Sequence, residues 1–165
     1  MKIINSYYPE EKAEMYNVLI TQMRALLEGE EDVTANLANA SALLNEALGD
    51  INWVGFYLMK NGELVLGPFQ GKVACVRIAV GKGVCGTAVL ENNTQLVEDV
   101  HQFPGHIACD SASNSEVVVP IRKAGKVVGV LDIDSPNYGR FDSVDSEGLE
   151  KIVKVIEEAC GFDNK

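Results

Sequence analysis

The sequence predicts an α+β domain, with helices at both ends of a mostly antiparallel sheet built from hairpin-connected strands. Three observations carry this prediction. The apolar period is helical up to about residue 49, changes to two from Ile51, and becomes helical again after Asp142. Two turn signals, Asn61-Gly62 and Lys123-Ala124-Gly125, join strand-like runs into hairpins. Alternating strand–helix units of the kind a parallel sheet requires are missing from the middle of the chain. With 165 residues, the chain suits one domain that buries roughly two-thirds of its unfolded surface. That single domain, 1–165, divides into N-terminal helices (1–49), a sheet with its loops (50–140) and a C-terminal helix (141–165).

The elements follow in order. Pro9 suits the first turn of a helix whose apolar stripe is Met15, Val18, Leu19, Gln22, Ala25 and Leu26, with Gly29 closing it. Asp32 caps a second helix through Leu37, Ala40, Leu43 and Leu44, ending at Gly49. Ile51 to Met59 and Glu63 to Phe69 form the first hairpin, and Val73 to Val80 is a further strand. Val84 to Leu90 reads as a short helix, Thr94 to Val97 as a short strand, and Glu98 to Ser115 as a long loop. Loops of that length in a compact domain are commonly functional. Glu116 to Ile121 and Lys126 to Asp134 make the second hairpin. Asp142 and Ser143 can cap a final helix with the stripe Leu149, Ile152, Val153, Ile156 and Cys160.

Bulk composition narrows the function. The hydrophobic share of 47% and charged share of 23% are globular values. Lys plus Arg number 14 against 24 for Asp plus Glu, a formal charge of −10. Such a balance repels phosphate backbones and argues against nucleic acid or an anionic membrane as a partner. Met1 to Glu11 has no apolar signal core, and no run reaches the ~20 apolar residues of a membrane span, so the cytoplasm is the expected compartment.

Against that background the cysteines stand out. Cys75, Cys85 and Cys109 lie within one glycine- and histidine-bearing stretch, Gly67 to Glu116. In a reducing compartment a cysteine is a buried small hydrophobe, a metal ligand or a nucleophile. A zinc site of these three with His101 or His106 lacks the short knuckles of structural zinc. Gly81-x-Gly83-x-x-Gly86 matches a dinucleotide fingerprint, but the helix behind it is only about two turns long. Cys109 would open a short turn where backbone N–H groups can lower a thiol pKa. Cys75 is on or near a strand with Arg77 on the same face, and Cys85 begins a helix after Gly83. Cys160 completes an apolar stripe and reads as packing.

Two strands add polar and aromatic groups. With a period of two, Trp53, Gly55 and Tyr57 share one face and Val54, Phe56 and Leu58 the other. The aromatic pair could be core or could wall a small-ligand pocket. Asp132 and Asp134 share the face of Val128 and Val130, with Glu116 entering from the partner strand. These acids either end their strands in solvent or form a group that needs a cation or donors when buried.

At these residues the chain resembles a family. Gly-Pro-Phe-Gln-Gly-Lys-Val-Ala-Cys75, Gly-Lys-Gly-Val-Cys85-Gly-Thr-Ala, Asp-Val-His-Gln-Phe-Pro-Gly-His-Ile-Ala-Cys109-Asp, Ser-Asn-Ser-Glu116 and Val-Leu-Asp132-Ile-Asp134-Ser are similar to the free methionine-(R)-sulfoxide reductases, which are built on a GAF domain. The resemblance implies a six-stranded antiparallel sheet flanked by helices, often a homodimer, with a closed pocket over one sheet face. It implies Cys109 as nucleophile, Cys75 as main resolving thiol and Cys85 as a second thiol able to join the disulfide. Trp53, Tyr57, Glu116, Asp132 and Asp134 match the family's pocket residues. On this reading a Cys109 sulfenic acid condenses with Cys75, and thioredoxin, drawing on NADPH, restores both thiols. The Glu98–Ser115 loop would shift to admit reductant, and no metal or organic cofactor is needed.

The residues themselves suit that chemistry. An acid kept neutral by burial, Glu116 or one of the Asp pair, can supply a proton. The other carboxylates can hold a free ammonium group, and Trp53 can pack on an S-methyl group. Two alternatives remain: a small-molecule-sensing GAF module without turnover, and a redox sensor signalling through a Cys75–Cys109 bridge.

Overall fold

A computed structural model describes residues 7–106 and 110–162. Among the described residues the elements run α1 (Lys12–Leu27), α2 (Val33–Ala47), β1 (Trp53–Lys60), β2 (Glu63–Gly71), β3 (Arg77–Ala79), α3 (Gly83–Glu91) and β4 (Gln95–Val97). A 3-10 turn (Val100–Gln102), β5 (Ser115–Lys123), β6 (Lys126–Ser135) and α4 (Ser143–Ala159) complete them. All six strands join one antiparallel sheet in the order β3-β2-β1-β6-β5-β4. The α+β expectation therefore holds, down to the number of strands.

Alternation along the strands separates two cores. Val54, Phe56, Val117, Val119, Ile121, Leu131 and Ile133 face α1, α2 and α4. Trp53, Tyr57, Val118 and Val130 face the other way, under α3. Phe56 is fully buried, a burial worth about 1.5–3 kcal/mol. Both hairpin turns use left-handed backbone: Asn61 and Gly62 have φ of 52° and 85°, the signature of the favoured two-residue turn. No helix among the described residues is long and apolar enough to cross a membrane.

Caps and stripes agree with the sequence except at the amino end. Asp32 and Asp142 cap α2 and α4, and Asp142 forms a reciprocal capping box with Asp145. The α2 residues Leu37, Ala40, Leu43 and Leu44 are buried, as are Leu149, Ile152, Val153 and Ile156 of α4. However, α1 starts at Lys12 rather than Pro9, because the Glu11 carboxylate accepts from the N–H groups of Ala13 and Glu14 and forms the cap. Its buried stripe is Met15, Tyr16, Leu19, Met23 and Leu27, rotated from the expected one so that Ala25 is exposed.

Two strand expectations change. Of Val73 to Val80 only Arg77–Ala79 pairs in the sheet. The carbonyls of Lys72 and Cys75 accept from side chains, Trp53 Nε1 at 3.1 Å and Tyr57 OH at 2.9 Å, instead of from a neighbouring strand. Cys75 thus lies in irregular chain before β3, while Arg77 is exposed and paired with Glu63. Val128 packs against the helix-side core and not beside the acids. The register between β5 and β6 shifts after Ile121–Gly129, and this bulge reverses the alternation.

Candidate active site

The site is assembled on the central strands. Trp53 and Glu116 both pair with Asp134, and Gly55 and Val118 both pair with Asp132. Cross-strand partners point to the same face, so the aromatic wall and the three acids become neighbours through register alone. Gly55 separates Trp53 from Tyr57. A Cβ there would stand 2.2 Å from Phe69 Cβ, so glycine lets β2 close in and Phe69 stack on Trp53, with centroids 5.1 Å apart. Trp53 also stacks with Tyr57 at 6.0 Å. Phe69 was not singled out from the sequence; its partner glycine is the clue that could have found it.

A cavity of about 50 Å³ opens over this face, several times what one water needs. Trp53, Tyr57, Cys85, Glu116, Asp132 and Asp134 line it, so six of the eight sequence-derived site residues meet there. Cys75 packs at the edge of the same cluster, with its carbonyl held by the Tyr57 hydroxyl. It is engaged in a disulfide, whereas Cys85 and Cys160 are free thiols. Cys109 lies outside the described residues.

Other lining groups were not among the expected site residues, although His106 was weighed as a zinc ligand. Lys82 and His106 reach the cavity, as do Asp110 and Ser113. Asn52 Nδ2 donates to Asp110 Oδ2 and to Ser113 Oγ, both at 3.0 Å, tying the segment after residue 109 to the start of β1. Ser113 in turn hydrogen-bonds Asp134. These pairs are 58 and 61 residues apart in the chain, beyond any local pattern.

Burial dominates the electrostatics. Glu116, Asp132 and Asp134 all have their carboxyl pKa values raised, first by burial. For Glu116 and Asp134 the charge of Asp132 adds to it. Glu116 hydrogen-bonds both aspartates. The Cys85 thiol is pushed up by burial and by the same acids, and it bonds to Asp132. The Tyr57 hydroxyl is likewise raised by burial and by Asp132. His106 is lowered by burial, which favours the neutral imidazole. Asp110 at the rim is held below the usual range by the Ala112 N–H. One oxygen each of Asp132 and Asp134 is buried without a hydrogen-bond partner among the described residues. Such a cluster can keep protons at neutral pH, lend one to a reaction, or release them on meeting a cation.

Known proteins resemble the chain over most of its length. Residues 30–159 match the GAF domain family. The Escherichia coli protein named free methionine-R-sulfoxide reductase is 57% identical over 147 residues, covering 89% of each chain. The structure of the free methionine-R-sulfoxide reductase from Neisseria meningitidis in complex with its substrate superposes with a TM-score of 0.93 at 43% identity, covering 96% of this chain and 95% of that one. The structure of Staphylococcus aureus fRMsr in complex with substrate gives 0.85 at 60% identity, over 87% and 94%. At such identity and coverage, the chain belongs to the GAF-domain family and, within it, to the group of free methionine-R-sulfoxide reductases.

Proposed function

We propose that this protein reduces free methionine-(R)-sulfoxide to methionine, with Cys109 as nucleophile and Cys75 as resolving thiol. One observation carries the reading from the geometry: three buried carboxyl groups share a small cavity with an aromatic wall, and two of their oxygens have no hydrogen-bond partner among the described residues. An amino acid brings the complementary parts, an ammonium for the acids and an S-methyl group for Trp53. Its carboxylate would go to Lys82 and to the N–H groups of the first turn of α3. A peptide-bound sulfoxide lacks the free charges and would leave the acids unmatched. The names of the E. coli and N. meningitidis relatives support the same substrate.

In the chemical step a Cys109 thiolate attacks the sulfoxide sulfur and takes its oxygen, becoming a sulfenic acid as the sulfoxide is reduced by two electrons. A protonated acid, Glu116 or one of the two aspartates, delivers the proton the oxygen needs. The Cys75 thiol then displaces the sulfenic oxygen as water and forms the disulfide. That Cys75 is disulfide-bonded while Cys85 and Cys160 are free supports this pairing. Cys85, buried against Asp132, is a poor thiolate in the closed pocket and would join the relay only after the pocket opens. An external dithiol of the thioredoxin type resets the enzyme in the cytoplasm, and no bound cofactor is required. A homodimer is part of the same reading, checked by light scattering.

A coupled assay tests this. With thioredoxin, thioredoxin reductase and NADPH, the protein should oxidise NADPH on free methionine-(R)-sulfoxide and react poorly with the S epimer or a peptide-bound sulfoxide. Cys109→Ser should abolish turnover and Cys160→Ser should preserve it. Absence of turnover with either epimer would overturn the assignment and favour a sensing role.

A further inference from the structure

We propose that Cys85, Glu116 and Asp132 form a binding site for one thiophilic divalent cation of the zinc class, and that this cation excludes the amino acid from the pocket. The Cys85 sulfur and one oxygen from each acid lie within 4.8 Å of one another, and all three side chains are buried. Tetrahedral zinc holds sulfur at ~2.3 Å and oxygen at ~2.0–2.2 Å, which places its ligands roughly 3.3–3.8 Å apart. An inward movement of about an ångström therefore closes the set. This donor group differs from the Cys75, Cys85, Cys109 and histidine set that spacing argued against.

A second observation points to a ligand. Asp132 is 6% exposed and lines the cavity, yet its Oδ1 has no hydrogen-bond partner among the described residues. Asp134 Oδ1 is unpartnered in the same way and stands on the next inward position of β6, outside the set of three close donors. A soft thiolate with hard carboxylates selects zinc or cadmium over calcium or magnesium. The thiol and carboxyl protons leave to bulk water as the ion enters, so affinity rises with pH. Competition with the amino acid rests on the reading of the pocket as an ammonium site; metal binding itself does not.

The test uses the full chain in its disulfide form, in which Cys85 and Cys160 are free thiols among the described residues, with Cd²⁺ as the probe. One equivalent of Cd²⁺ should raise an ultraviolet thiolate-to-cadmium absorption band, and Zn²⁺ should displace it. Cys85→Ser should remove the band while Cys160→Ser keeps it. Asp132→Asn should weaken cadmium affinity by about tenfold or more, with circular dichroism checking that the fold persists. Added free methionine sulfoxide should raise the apparent cadmium dissociation constant. A band that survives Cys85→Ser, or no band in the unsubstituted chain, overturns the site. A Cys85-dependent band indifferent to methionine sulfoxide overturns the competition. A band that behaves as expected in a protein that fails the coupled assay would sink the reductase reading and leave the metal site standing.

Discussion

Two groups of buried acids share this molecule and are treated in opposite ways. Asp145, at the start of α4, is fully buried and saturated with donors. Its oxygens accept from Tyr16 OH and Lys12 Nζ, each at 2.7 Å, from the Asp142 N–H at 2.9 Å, and from Arg140 at 3.5 Å. Glu116, Asp132 and Asp134 mostly have one another for partners, and two of their oxygens have none among the described residues. A buried carboxylate that serves the fold is matched within the fold. One left unmatched is waiting for a group that arrives later. On the proposed function, the difference separates a structural acid from a working one.

The largest test of that contrast removes a working acid. Glu116→Gln should lower kcat by roughly 10²–10⁴-fold in the coupled assay, the range for losing a general acid, while the protein still folds. A loss of less than threefold would return Glu116 to the role of packing. Next, Asp145→Asn should cost about 3 kcal/mol in urea denaturation, because Lys12 and Arg140 lose their anion in a partly buried setting. The surviving folded fraction should keep its specific activity.

A pH series sharpens the comparison further. Glu116 has a raised folded pKa, so the folded state holds a proton that the unfolded state releases above about pH 4. The folded state binds more protons, and stability relative to a neutral side chain must fall as pH rises from there. Relative to the natural protein, Glu116→Gln should therefore gain stability as pH rises from about 4 to 7, and the gain should shrink on acidification. A gain that grows on acidification would contradict the sign. The smallest effect belongs to the partly exposed partner of the structural acid: Lys12→Met should cost about 1 kcal/mol or less, since its ammonium is screened by solvent.

Much of this contrast could be anticipated. The period of two put Trp53, Gly55 and Tyr57 on one face, as found, and the same rule set Asp132 and Asp134 together with Glu116. It failed at Val128, because a bulge beside Gly129 shifts register by one residue and simple alternation takes no account of that glycine. It also overextended the strand around Cys75, whose neighbours' carbonyls are claimed by Trp53 and Tyr57 from a different strand. Local patterns report what a segment prefers by itself; these two departures arise from groups far away in the chain.

What the residues determined unaided was the α+β plan, the two-faced sheet and the family, because periodicity, turn chemistry and cysteine-bearing motifs are properties of short segments. Tertiary structure alone decided which acids are matched. The Lys12–Asp145 pair spans 133 residues and the Asn52–Ser113 bond 61, so the partner of each charge depends on how the whole chain closes. Charge compensation is a contact between distant segments, and only the folded chain brings them within reach.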